Sequence, residues 1–209
     1  FGLPSNQKDG CGFPVAKLLG VMDESTGMVV SALAAPLFRH ELGMVSSVHS
    51  MLLPGDILVG DRAFGSYAHV ALLQKQGIFC CFRVSSPNTG GGGNRRKREK
   101  EDAKAQPRKH KKSRSAQASR RPERRLGRDD ELQTWHKPKD CPPWLAPAVY
   151  AELPMTIQVR VMRYVVAEKG CRTKEVWVAT TLIDPATWPP KRLADLFGLW
   201  RDGRLHLFG

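Results

Sequence analysis

Gly55-Asp56-Ile57-Leu58-Val59-Gly60-Asp61-Arg62-Ala63-Phe64-Gly65-Ser66-Tyr67 (GDILVGDRAFGSY) is the stretch on which the reading of this chain turns. Asp56 to Gly60 is a short apolar run of the kind found in strands buried on both faces. Asp61-Arg62 follows at once. Ser66 can then cap a helix whose apolar residues Val70, Leu72 and Leu73 lead to Gly77 as a stop. Ile78 to Val84 (IFCCFRV) reads as a second strand. A helix between two buried strands predicts an α/β core with at least one parallel pair. An Asp directly after a buried strand suits a metal ligand, because the strand fixes the backbone while the carboxylate emerges at the end of the sheet. Two-metal phosphoryl-transfer sites need several such carboxylates around ions roughly 4 Å apart. The competing reading is plain: strand-end Asp residues are also ordinary turn formers.

Upstream, residues 12–22 (GFPVAKLLGVM) and 28–33 are apolar runs separated by the turn-rich Asp23-Glu24-Ser25-Thr26-Gly27, which predicts a β-hairpin. From His40 to Leu53 the recurrence of Leu42, Val45, Val48 and Leu52 predicts a helix that Pro54-Gly55 ends. Downstream, residues 85 to about 128 turn Gly-rich and then Lys/Arg-rich without apolar periodicity. Such a segment cannot bury enough surface to offset its ordering entropy, and a mobile basic arm is expected. Order returns at Leu132 to Trp135. After a Pro-rich stretch, residues 157–166 (IQVRVMRYVV) alternate as a half-exposed strand does, and residues 175–182 (EVWVATTL) are its expected antiparallel neighbour. Pro189-Pro190 then introduces a short amphipathic helix over residues 191–200.

Length and composition bound these readings. The chain has 209 residues, 41% of them hydrophobic, enough for one domain or one domain with a large insertion. No apolar run approaches the roughly 20 residues that span a bilayer, and the N-terminus lacks a secretory pattern, so a cytoplasmic protein with no membrane partner is expected. The five cysteines, Cys11, Cys80, Cys81, Cys141 and Cys171, form no C-x-x-C pair and support neither a disulfide framework nor a zinc site. The histidines show no metal-ligand spacing, and Trp135, Trp144 and Trp177 read as packing residues. The net charge of +13 is local. Residues 94–128 hold 16 Lys and Arg against 4 Asp and Glu, which leaves 17 against 16 for the rest of the chain. A segment of that composition binds phosphate backbones without sequence preference, or is simply a solvated insertion.

The Gly55 to Tyr67 stretch closely resembles the second-Asp motif of insertion-sequence DDE transposases of the group numbered four, G-D-x-x-hydrophobic-x-D-R-x-F-x-S-Y. Gly10-Cys11-Gly12-Phe13-Pro14-Val15-Ala16 looks like the approach to that family's second core strand, and His40-Glu41-Leu42 like its next helix start. Leu126 to Asp130 and Trp135 to Pro138 look like its insertion region. Thr180-Thr181-Leu182-Ile183-Asp184-Pro185 resembles the turn before its last catalytic helix. The resemblance implies an RNase H-like core with a β-rich insertion, three acids binding two Mg²⁺ ions, and cleavage and transfer of DNA ends. In it Asp61 is the second acid, catalytic and metal-binding, with Arg62 as a phosphate contact.

The other two acids have no counterpart. In the family the first lies on the strand preceding residues 12–22, and this sequence begins at Phe1, past that point; Asp9 precedes the strand and Asp23 belongs to a turn. The third belongs to a helical Tyr, Arg, Glu, Lys signature whose positions here read Phe197, Trp200 and Arg204, with the Lys position beyond Gly209. An Arg cannot ligate Mg²⁺, and Asp202 is turned about 160° around the helix from it. The expectation is therefore an α/β, RNase H-like mixed sheet lacking its first strand, in a truncated and degenerate transposase. Its expected divisions are a partial core over residues 1–84, a disordered basic insertion over 85–131, a β-rich insertion over 132–186 and a remnant catalytic helix over 187–209. DNA is the expected partner, contacted through Arg62, Arg95, Arg96, Lys97, Arg98, Lys109, Lys111 and Lys112, with pairing of two chains on DNA. The rival is a non-enzymatic nucleic-acid binder acting through the arm.

Overall fold

The computed structural model describes residues 15–37, 39, 41–85, 119–165 and 175–201, without the side chains of residues 197–201. In chain order the elements are β1 (Ala16–Asp23), β2 (Met28–Pro36), α1 (Glu41–Val45), β3 (Ile57–Gly60), α2 (Tyr67–Lys75) and β4 (Phe79–Val84). They continue as β5 (Ser119–Gly127), β6 (Asp130–His136), α3 (Pro147–Ala151), β7 (Thr156–Val165), β8 (Glu175–Thr180) and α4 (Pro190–Arg201). The strands form two sheets: the antiparallel hairpin β1-β2, and a six-stranded mixed sheet in the order β3-β4-β8-β7-β6-β5. β3 and β4 run parallel with α2 as their crossover, and each other neighbouring pair is antiparallel. This is the α/β, RNase H-like architecture that the motif implied.

Local chemistry explains α2. The Ser66 hydroxyl accepts from the His69 amide at 3.4 Å, and Gly77, with φ at 73°, closes the C-terminus. Residues 67–73 of this helix are all buried. They pack with Phe82, Trp135, Val159 and Val161 into the main core, one layer of helix on one face of the sheet. On the opposite face Leu193 of α4 packs with Met162 and Leu182.

The helix expected from His40 to Leu53 is interrupted. α1 spans only Glu41–Val45, and a single 3₁₀ turn follows at His49–Met51. Between them Ser47 and Val48 donate three residues back, to Met44 at 3.1 Å and Val45 at 2.9 Å. Gly43, the serines at 46 and 47 and the β-branched Val45 and Val48 all weaken a continuous helix, and the tighter turns still bury Val48.

One further correction concerns the segment expected to be disordered. The disordered segment does not extend to residue 131, because Ser119–Gly127 is strand β5. Its order comes from β6. Arg120 lies over the Trp135 ring at 4.4 Å, and the Glu123 carboxylate accepts from the Thr134 hydroxyl at 2.9 Å and the Gln158 amide at 3.1 Å. The strands of residues 132–186, expected as a β-rich insertion region, are continuous with the core sheet. β8 pairs with β4 in the register Cys81 to Thr180 and Val84 to Trp177, so they extend the core sheet.

Candidate functional site

The Gly55 to Tyr67 stretch folds as turn, strand, loop and helix start, and nearly every residue in it has structural work. Gly55 takes φ 98°, a conformation that favours glycine, and its amide donates to Gly77 at 2.9 Å. The Asp56 carboxylate accepts from the Leu53 amide at 2.8 Å, closing the turn into β3. Ile57, Leu58 and Val59 pack against three different clusters of the core. Gly60 gives the Phe64 and Phe82 rings room to come within 3.2 Å of where its Cβ would lie. Gly65 has the same function, since a Cβ there would lie 3.0 Å from Val84 Cγ1 and 3.1 Å from the Arg83 carbonyl oxygen. Tyr67 is buried and its hydroxyl donates to the Pro154 carbonyl.

Asp61 and Arg62 differ. Both are exposed at the C-terminal end of β3, and neither side chain has a hydrogen-bond or ion-pair partner among the described residues. The loop that carries them is held from below. Phe64 donates its amide to the Asp61 carbonyl at 3.0 Å, and its own carbonyl accepts from His69 Nδ1 at 2.8 Å. That bond fixes the His69 proton on Nδ1, so its bare Nε2 accepts from His49 Nε2 at 2.9 Å. The two imidazole planes are within 7° of parallel with centroids 5.0 Å apart, the edge-to-edge arrangement that this hydrogen bond requires, and His69 stacks on Phe82 at 5.2 Å. Burial pushes the His69 pKa down to about 3 and lowers that of His49, so the pair is neutral. Sequence reading gave these histidines no role; they lie 20 residues apart and only the tertiary fold joins them.

The TTLIDP turn is likewise structural. The Thr180 hydroxyl donates to the Cys80 carbonyl at 2.7 Å, and the Cys80 amide donates to the Thr181 hydroxyl at 2.9 Å. Asp184 accepts from the Thr187 hydroxyl and from the amides of Ala186 and Thr187, the amides each at 3.1 Å, and these bonds, the hydroxyl's first, hold its carboxyl below the usual range. Asp23 accepts from the Ser25 hydroxyl at 2.7 Å and amide at 2.8 Å, the turn role expected of it.

The basic side chains from Arg95 to Lys112 lie outside the described residues, as do Asp9, Asp202, Arg204 and the side chains of Phe197 and Trp200. What the structure adds is on β5, where Arg121, Arg124 and Arg125 are exposed along the edge of the large sheet. Their density was visible in the sequence but their order was not. Among the described residues no group of three or more His, Cys, Asp and Glu is placed to hold a metal ion. Asp61 stands as a single carboxylate there, which does not fit a two-metal centre, and no metal-borne step follows from these residues. No helix among them is long and apolar enough to cross a membrane.

A mixed sheet with a parallel β3-α2-β4 unit, ending its edge strand on exposed Asp61 and Arg62, has the architecture of an RNase H-like domain. The comparison with family models makes the class specific: the transposase DDE domain matches residues 3–197, and the chain belongs to that family. Its function is DNA transposition, with DNA as the substrate and divalent metal ions as the family's cofactor. No curated protein matches the chain.

Proposed function

We propose that this chain binds DNA as a transposase domain does, with Asp61 as a catalytic and metal-ligating carboxylate and Arg62 as a phosphate contact. By itself it carries out little or no strand cleavage and transfer. The observation that supports the reading is the division of labour within residues 55–67, where the two side chains without structural partners are the acid and the base at the strand end. The sequence, which has Arg204 where the family's signature has its third acid, supports the low activity. Mg²⁺ is the ion assigned to Asp61 once other carboxylates join it, since a hard cation takes oxygen ligands.

The basic segment supplies sequence-independent affinity through Arg95, Arg96, Lys97, Arg98, Lys109, Lys111 and Lys112. The exposed Arg121, Arg124 and Arg125 of β5 add positive charge on a fixed strand. Pairing of two chains on DNA and a cytoplasmic location, where DNA is directly accessible, complete the proposal. The non-enzymatic reading draws on the same arginines and is separated from it by sequence preference.

Fluorescence anisotropy with duplex DNA tests both. If four phosphates are neutralised, affinity falls about 100-fold between 50 and 200 mM salt. Replacing residues 94–118 by a neutral linker, which leaves β5 in place, should lower that slope yet leave any preference for transposon ends intact. Loss of all binding would instead make the chain an arm-driven binder. Efficient Mg²⁺-dependent strand transfer by the purified chain would overturn the proposed low activity.

A further inference from the structure

β3 and β4 run parallel in the register Ile57 to Phe79 through Gly60 to Phe82. Continued by one residue, that register sets Arg83 beside Asp61. Successive side chains on a strand point to opposite faces. Leu58 and the space at Gly60 face the main core with Cys80 and Phe82. Val59 and Cys81 face the other side, where Leu196 of α4 joins them. Asp61 and Arg83 are next in that second series, so both come out on the face that α4 covers. The helix runs toward them, since Leu193 shares a cluster with Ile57 at the start of β3 and Leu196 shares one with Val59 near its end.

Arg83 is half-buried, and its guanidinium has no hydrogen-bond or ion-pair partner among the described residues. Each other arginine among them that is not exposed is held. Arg160 bonds to Asp130, Arg163 bonds to Asp129 and Glu175, and Arg120 lies over the Trp135 ring. A cation drawn partly out of water without an acceptor is costly unless a ligand supplies one.

We propose that Arg83 binds a DNA phosphate and holds that phosphodiester at the Asp61 carboxylate. The inference rests on the transposase reading of Asp61 and adds to it a phosphate contact on the neighbouring strand. A guanidinium suits the task, because its planar fork of donors fits two phosphate oxygens at once and stays charged at any working pH. Asp61 repels an approaching phosphate, and a cation one strand away offsets that repulsion. Because β4 is paired on both sides, by β3 and β8, Arg83 projects from a fixed backbone, whereas Arg62 lies on the loop beyond β3.

The probe is a fluorescein-labelled duplex titrated with the full chain in EDTA across a series of salt concentrations. Arg83→Gln should weaken binding about three- to tenfold and reduce the slope of log affinity against log salt by about 0.9, the share of one phosphate. Arg83→Lys, which keeps the charge, should keep the slope. Circular dichroism checks that the variants are folded, and their Tm should match the parent's because a partner-free cation adds almost nothing to stability. Phenylglyoxal labelling read by mass spectrometry gives the second measure: Arg83 should react in the free chain and lose that reactivity when the duplex is bound. An unchanged slope in folded Arg83→Gln overturns the proposal. So does a slope lost equally in Arg83→Lys, or labelling of Arg83 that the duplex does not alter. A parent chain that fails to bind the duplex would refute the transposase reading itself, and this proposal with it.

Discussion

Gly60→Ala is the sharpest test of how the Asp61 loop is held. A Cβ at residue 60 would lie 3.0 Å from Phe64 Cδ2 and 3.2 Å from both Cδ1 and Cε1 of Phe82, closer than ordinary carbon contacts. Neither ring can easily yield. Phe82 is 1% exposed, lies 5.2 Å from the His69 ring in a stacked arrangement and meets Phe64 at 6.4 Å. His69 in turn is fixed by His49 and by the Phe64 carbonyl. Overpacking a site of this kind costs about 1–3 kcal/mol. At roughly 2–4 °C per kcal/mol for a chain of this size, Tm should fall by about 2–12 °C in thermal unfolding followed by circular dichroism. The double variant Gly60→Ala, Phe64→Leu identifies the cause, because removing the nearer ring should return part of the loss as a coupling of at least about 0.5 kcal/mol. Additive effects of the two substitutions, or an unchanged Tm for Gly60→Ala, would refute the argument that Gly60 is required by ring packing under the acidic loop.

The buried pair Arg160 and Asp130, with Nε to Oδ1 at 2.8 Å and Arg160 fully buried, makes Asp130→Ala leave an uncompensated cation. The expected loss is about 3–5 kcal/mol in urea unfolding, and a loss under about 1 kcal/mol would contradict it. Stability should also fall with acid on account of His69. Its folded pKa near 3 lies below the ordinary 6.5, so the unfolded chain binds the extra proton between those values and stability drops as pH falls from 6.5 toward 3. The slope is at most about 1.4 kcal/mol per pH unit for this one group, and His69→Gln should flatten it in urea midpoints measured across that range. Cys80 and Cys81 are buried, with burial pushing the Cys80 thiol up to about 12 and Cys81 higher still. Iodoacetamide at pH 8 should leave the peptide containing both unlabelled until denaturant is added, as read by mass spectrometry.

What could be read from sequence was what local chemistry determines. Ser66 and Gly77 delimit α2 by capping, and IFCCFRV and DILVG are strands because apolar runs of that length bury on both faces. The parallel pair followed from the helix between them. β5 was hidden because SRRPERRLG has neither alternation nor an apolar face; its strand conformation is imposed by pairing with β6 and by Trp135 beneath Arg120. The break after α1 was hidden for the converse reason. Helical spacing of Leu42, Val45 and Val48 is compatible with two tight turns as well as with one helix.

At the site, sequence and structure contribute different halves of one argument. The motif identifies thirteen residues without saying which of them act. Packing removes most from contention, since each glycine answers a steric or dihedral demand, Asp56 closes a turn, Phe64 fills the space above Gly60, and Ser66 and Tyr67 anchor α2. Asp61 and Arg62 are left with exposed charges and no partner among the described residues. Stability alone does not account for that pair, because a partner-free Asp and Arg on a surface loop contribute almost nothing to it. The rigidity beneath them has a use only if the position of the carboxylate matters. His69 spends a buried hydrogen bond on the Phe64 carbonyl, and two neutral imidazoles occupy a place that ordinary apolar side chains would fill at no desolvation cost. A loop with nothing to present would not need such support, and that is the physical argument behind the proposal that Asp61 acts at the end of β3.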